Sequence, residues 1–270
     1  MSRHFLIASD FDQTLSFHDS GHVLAELLGV ADFERKVAGL AGTNLVQQGG
    51  ELAYLIRHDP DFRGVRREHL VEAGRRVRLK DALPVLVKSL EGLIAGCRFS
   101  FFVVSAGPRE LVASALEGIV PPEHIYATEF EYDSTSGEVS ALARVVAGYG
   151  KVAVIDELSR KVAVPSDRII YVGDGSSDVH VMLHVNNGDG FTIAVSENRQ
   201  LARIARCTVL SDNVCSILIP ILDQVLAMRI PEIRRFLESH GLTLDGWEKA
   251  RTDRVALRET SPALAAADSP

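Results

Sequence analysis

Cysteine is scarce in this sequence: Cys97, Cys207 and Cys215 are the only three in a chain of 270 residues. An odd, sparse set without CxxC spacing argues against a disulfide framework and a thiolate zinc site, and fits a reducing compartment. Each adjoins an apolar run and reads as a small buried hydrophobe. Positive charge is also in deficit. Lys and Arg number 29 against 36 Asp and Glu, a net charge of −7, which provides no general surface for nucleic acid. Long apolar runs are missing as well. Asp10 and Asp12 break the N-terminal run before it reaches the length of a secretory leader. The later run SILIPILDQVLAM contains Pro220 and Asp223 and is too short to cross a bilayer. The expectation is a soluble, cytoplasmic chain with no membrane or nucleic-acid partner.

Short apolar runs rich in Val, Ile and Phe are plentiful. They are HFLIAS (4–9), FSFFVVS (99–105), HIYAT (124–128), RIIYVG (168–173), FTIAV (191–195) and CTVLS (207–211). Their apolar residues are consecutive rather than alternating, as in strands of a parallel sheet covered on both faces. Helical patterns such as PRELVASALEGI (108–119) lie between them. Alternating strands and helices predict an α/β fold, a Rossmann-like doubly wound parallel sheet.

One interval breaks the rhythm. Residues 10–98 separate the first two strands, far more than a βαβ crossover requires. Residues 16–80 carry only helical patterns and read as an inserted all-helical cap of three to five short helices. The core is then 1–15 with 81–228, re-entered through the helix DALPVLVKSLEGLIA (81–95). A smaller insert, TEFEYDSTSGEVSAL (128–142), has turn formers at its centre and reads as a β-hairpin. The remainder, 229–270, reads as a helical tail around IPEIRRFLESHG, with Pro231 near its start and Gly241 at its end. Beyond Thr260 it is expected to fray. The amphipathic tail also suggests a homo-oligomer interface.

The chemistry sits at the ends of strands. In an open parallel sheet, ligands bind outside the carboxyl ends, where FLIAS delivers Asp10 and Asp12, VVSAG delivers Ser105, and IIYVGDGSSD delivers Asp174 and Asp178. Four carboxylates in one crevice must be neutralised. An all-oxygen set without Cys or His suits a hard ion such as Mg²⁺, which favours a few carboxylates together with phosphate oxygens. A divalent ion and a phosphorylated substrate explain the cluster better than either alone. Gly173 and Gly175 allow the tight turn that aims Asp174. Ser105, with the main-chain N–H groups of Ala106 and Gly107, could receive phosphate oxygens.

The ordered set DFDQT (10–14), VVSAG (103–107), Lys151 and GDGSSD (173–178) resembles the four motifs of the haloacid-dehalogenase-like hydrolase superfamily. The helical insert between the first two motifs most resembles the phosphoserine-phosphatase-like branch. The resemblance implies a Mg²⁺-dependent phosphatase acting on a small phosphorylated metabolite. Asp10 would be the nucleophile, forming an aspartyl-phosphate, and Asp12 the general acid and then base. Thr14 would orient Asp12 close to the phosphate, Ser105 would bind a phosphate oxygen, and Lys151 would offset charge between Asp10 and the phosphoryl group. Asp10, the Asp12 main-chain carbonyl and Asp174 would hold Mg²⁺, with Asp178 ligating directly or through water and positioning Lys151. An acid at Asp12 favours ester cleavage over dehalogenation, because an alkoxide needs a proton and a halide does not. A phosphotransferase or mutase, or a non-catalytic phosphate-binding module, would use the same fold.

Within that branch, a glutamate after the first motif meets the substrate's amino group and a cap arginine its carboxylate. Asp19 and Arg57 are the nearest counterparts; Asp19 also reads as an N-cap for SGHVLAELL. The arginines from Arg63 to Arg78 read as a solvated helical face. His180 and His184 share a helix face and read as packing or solvent residues.

Overall fold

The computed structural model describes residues 3–43 and 46–247. The end of the tail expected to fray lies outside the described residues. A seven-stranded sheet forms the centre, in the order β4-β3-β2-β1-β5-β6-β7. The strands are β1 (His4–Ser9), β2 (Arg98–Pro108), β3 (Ile125–Tyr132), β4 (Val139–Arg144), β5 (Ile169–Gly173), β6 (Phe191–Ala194) and β7 (Cys207–Thr208). All pairings are parallel except β3 with β4.

The unbroken apolar runs have a simple cause. Along β1, Phe5 and Ile7 enter one buried cluster while Leu6 and Ala8 enter another on the opposite face. Helix α5 (Leu83–Glu91) and α6 (Arg109–Ala115) supply the first cluster, with Leu83, Leu86, Leu111 and Val112. Helix α7 (Tyr149–Val162) and α8 (Val179–Asn187) supply the second, with Val154, Ile155, Leu158, Val181 and Val185. With neither face wet, no polar alternation is needed.

Four α-helices lie between β1 and α5: α1 (Ser20–Leu28), α2 (Phe33–Ala41), α3 (Glu51–His58) and α4 (Arg67–Arg76). Where this segment leaves and returns, its two connections pair with each other. Phe17 N–H donates to Arg78 O at 3.0 Å and Lys80 N–H to Leu15 O at 2.8 Å. Lys36 ties α2 to the turn after α3, donating to both carboxylate oxygens of Asp59 at 2.7 and 2.8 Å. α4 lies directly on α6. A Cβ at Gly74 would fall 2.3 Å from Leu111 O, so glycine is what lets the two backbones approach.

Several element bounds differ from the sequence reading. The 99–105 strand continues through Ser105 to Pro108, with a register shift against β3 after Val104. The first arm of the hairpin is not separate: β3 runs unbroken through it, and Asp133 caps the turn by accepting from Thr135 and Ser136. The 207–211 strand shrinks to two residues at the sheet edge. The 81–95 helix begins at Leu83 because Asp81 pairs with Asp212 and Val214 instead. The 108–119 helix stops at Ala115. In the tail, the helix Ile230–Ser239 ends before Gly241 at φ 74°. Its apolar residues Ile233 and Leu237 are buried in the chain's own core.

Candidate active site

The sheet order creates the crevice. From β1 the chain passes to β2 on one side, and β5 later joins on the other, so the carboxyl end of β1 lies at a topological switch point. Asp10 follows β1 there, its N–H donating to Val172 O of β5 at 2.9 Å. Continuing the alternation of Leu6 and Ala8 sends Asp10 towards the α7 and α8 face.

Lys151 meets it from the first turn of α7. Its Nζ lies 2.6 Å from Asp10 Oδ1 and 2.7 Å from Asp178 Oδ1, and Lys151 and Asp178 are fully buried. Burial alone would push the ammonium down, but the two carboxylates outweigh it and hold Lys151 above its ordinary value. Asp178 is saturated: Tyr171 OH also donates to Oδ1 at 2.7 Å, and the N–H groups of Asp174 and Gly175 donate to Oδ2 at 3.1 Å. A carboxylate so occupied is better placed to fix Lys151 and the turn than to ligate a cation directly. Gly173 is required here, because a Cβ would lie 2.5 Å from the Asp178 carboxyl.

Oxygens of Asp10, Asp174 and Asp178 lie within 4.8 Å of one another. The crowding shows in their proton affinities. Burial, followed by the charges of Asp10 and Asp178, pushes Asp174 up to about 9. Burial raises Asp10 to about 6 despite Lys151. Three hard oxygen donors short of positive charge fit Mg²⁺, with Asp10 and Asp174 as the carboxylates not already saturated. Ser196 Oγ holds the Asp174 carbonyl, steadying that turn.

Asp12 is half-buried, and its carboxyl is raised by burial and by Asp19 and Asp10. The structure corrects one expectation about it. Thr14 is buried, but its Oγ1 has no partner, so it does not hold Asp12. Ser20 does, donating its main-chain N–H to Asp12 Oδ1 at 2.7 Å. Ser105 is buried, with Oγ accepting from Gly107 N–H at 3.0 Å; Ala106 lies between them. Asp12 and Ser105 meet beside Gly107, where a Cβ would lie 3.3 Å from Asp12 Oδ2 and from Ser105 Oγ, and the Asp12 carboxyl feels the charge of Asp10 in the Lys151 bridge.

The helical segment reaches this crevice. A Cβ on Gly49 would lie 2.6 Å from Ser177 Cβ and 3.5 Å from Ala106 Cβ. Asp19 is the N-cap of α1, accepting from Gly21 N–H at 2.7 Å, worth about 1 kcal/mol. Arg57 is exposed in the last turn of α3. Arg66, Arg67, Arg75 and Arg76 face Glu138, Glu110 and Glu72, and Arg78 lies over Phe17. His180 stacks on Tyr149 and His184 meets Asp156, so the two histidines share no ligand.

Sequence reasoning missed four residues. Tyr171 was detectable as a lone hydroxyl in an apolar strand, which needs a partner when buried. Ser20 directly follows the N-cap Asp19. Glu51, buried and raised chiefly by burial, and Lys80, which donates to Gln13 O at 2.7 Å, carry no local sequence signal.

The haloacid dehalogenase-like hydrolase family model matches residues 7–183, from β1 into α8. The chain belongs to that family. Among solved structures, a substrate-bound phosphoserine phosphatase aligns at 18% identity over 81% of this chain and 98% of its own, with a TM-score of 0.64. A phospho-aspartyl intermediate analogue of phosphoserine phosphatase aligns at 18% over 80% and 98%, TM-score 0.63. A phosphoserine phosphohydrolase-like protein from Francisella tularensis subsp. tularensis aligns at 19% over 81% and 98%, TM-score 0.60. At such identities the likeness concerns the fold alone. A comparison with curated proteins returned no match. No helix among the described residues is long and apolar enough to cross a membrane.

Proposed function

We propose that this protein hydrolyses a phosphomonoester of a small molecule through a phospho-aspartyl intermediate on Asp10. The observation that carries the reading is the buried Lys151 bridge between Asp10 and Asp178. It fixes one carboxylate oxygen of Asp10 and leaves Oδ2 for the phosphorus. In the first step Asp10 Oδ2 attacks phosphorus, the bond from phosphorus to the ester oxygen breaks with its electron pair left on that oxygen, and Asp12 gives that oxygen a proton. In the second, Asp12 accepts a proton from water, the water oxygen attacks phosphorus, and the bond to Asp10 breaks to release phosphate. Burial, then the charges of Asp19 and Asp10, raise the Asp12 carboxyl, which favours the protonated form that a general acid needs. Ser105 Oγ and the main-chain N–H groups at Ala106 and Gly107 would turn to the phosphoryl oxygens, and Lys151 would oppose their charge. Mg²⁺ held by Asp10, Asp174 and the Asp12 carbonyl would supply further neutralisation of the phosphoryl group.

The segment that carries α1–α4 acts in this reading as a cap over residues 106 and 177, keeping bulk solvent and macromolecules from the transfer while admitting the attacking water. The test is phosphate release from a panel of phosphorylated metabolites with Mg²⁺, including phosphoserine, sugar phosphates, nucleotides and pyridoxal phosphate. Asp10→Asn should reduce release to background for every substrate found. Release by this variant at the native rate refutes the reading.

A further inference from the structure

Asp12 follows β1, whereas Ser20 is the first residue of α1. The Ser20 N–H to Asp12 Oδ1 bond of 2.7 Å therefore joins the sheet's carboxylate to the first helix of the inserted segment. A second observation comes from the other side of the carboxyl group. A Cβ on Gly107 would lie 3.3 Å from each of Asp12 Oδ2, Ser105 Oγ and Ser20 Oγ, so these three oxygens surround one point. Ser20 Oγ is fully buried beside this same carboxyl group.

We propose that Ser20 is the positioning residue of the general acid: its main-chain N–H fixes Asp12 Oδ1, so that Oδ2 is the oxygen presented towards Ser105 and the ester. The acid is then set by the docking of α1 rather than by Thr14 of its own motif. This inference rests on the proposed role of Asp12 and adds the group that aims it. The carboxyl is shared between an amide at a helix start and the substrate, so a shift of α1 withdraws the acid without touching Asp10 or Lys151.

Loss of the amide can be tested without removing the helix. Proline is favoured at the first helical position, and Asp19, at φ −65° and ψ 127°, already has the extended backbone that precedes proline. The readout is kcat/KM for two substrates, an alkyl phosphate and nitrophenyl phosphate, in Ser20→Pro, Ser20→Ala and Asp12→Asn. This parameter reports the first phosphoryl transfer, in which only the poor alkoxide leaving group needs a proton. Ser20→Pro should lose about 100-fold on the alkyl ester, the scale of general acid catalysis, and under about threefold on the nitrophenyl ester. Ser20→Ala keeps the N–H and should keep the native ratio. If Ser20→Pro does not fold, Asp19→Ala loosens the same turn and should show a smaller split that Asp19→Asn, an equally good cap, restores. Asp12→Asn separates the two claims. A split in Asp12→Asn but none in Ser20→Pro or Asp19→Ala overturns the inference alone, as does a split in Ser20→Ala. Equal losses on both esters in Asp12→Asn overturn the role of Asp12 itself.

Discussion

Lys151 Nζ lies 2.6 Å from Asp10 Oδ1, and almost no part of either side chain reaches solvent. A cation from the start of α7 and an anion from the end of β1 are thus joined across 141 positions of sequence. Removing the lysine leaves two buried carboxylates uncompensated. Lys151→Met should destabilise the fold by about 3–5 kcal/mol, the usual cost of breaking a buried pair, read as a lower urea midpoint. Part of the loss should return with added Mg²⁺, since a second cation acts on the same charges. An unchanged midpoint would mean that the pair contributes nothing to the fold.

Proton competition should govern metal binding. Asp174 is raised to about 9, above the usual carboxylate range, so without a cation it carries its proton at neutral pH. The sign follows: the folded state holds a proton the unfolded state has lost, so metal-free stability falls as pH rises from about 4 towards 9. Mg²⁺ must displace that proton, and its affinity should therefore rise with pH over the same window. Calorimetry at pH 7 in two buffers of different ionisation heat should detect proton release, and Asp174→Asn should abolish it while weakening binding. Equal heats in both buffers would contradict the assignment.

The turn after Asp12 is strained. Gln13 sits at φ 56°, a left-handed conformation that costs an ordinary residue about 1–2 kcal/mol. Gln13→Gly should raise stability by about 1 kcal/mol, read by thermal unfolding. Lys80→Met should lower it, because the Lys80 ammonium donates to the Gln13 carbonyl. A destabilised Gln13→Gly would show that the side chain, not the backbone, sets this turn.

The contact between α4 and α6 is equally specific. Gly74→Ala places a methyl group 2.3 Å from Leu111 O and 2.8 Å from Ser114 Cβ. The helices must separate, at a cost of about 1–3 kcal/mol, measured by urea unfolding. A neutral result would mean that α4 shifts freely on the core.

The fold was legible because both faces of the sheet are covered. Consecutive apolar residues such as Phe5, Leu6, Ile7 and Ala8 each fill one of two clusters, and that pattern appears directly in the sequence. Asp10, Ser105 and Asp178 were legible because strand ends converge in a parallel sheet whatever their sequence separation. Ser20 and Lys80 were not, because one side of each bond is a main-chain group: Ser20's own amide on the Asp12 carboxylate, and the Gln13 carbonyl under the Lys80 ammonium. Residue identity carries no trace of such bonds. Thr14 shows the converse, a motif residue whose expected bond to Asp12 is made by another group. Strand bounds failed where edges and bulges decide them, as at Pro108 and Thr208.

The central claim is a covalent bond between Asp10 and phosphorus. Enzyme turning over an alkyl phosphate with Mg²⁺ is quenched in acid and treated with borohydride, which reduces an acyl phosphate on aspartate to homoserine, and the digest is sequenced by mass spectrometry. The account predicts homoserine at position 10 only when substrate is present. Active turnover with Asp10 unmodified, or with the label on another residue, would contradict it.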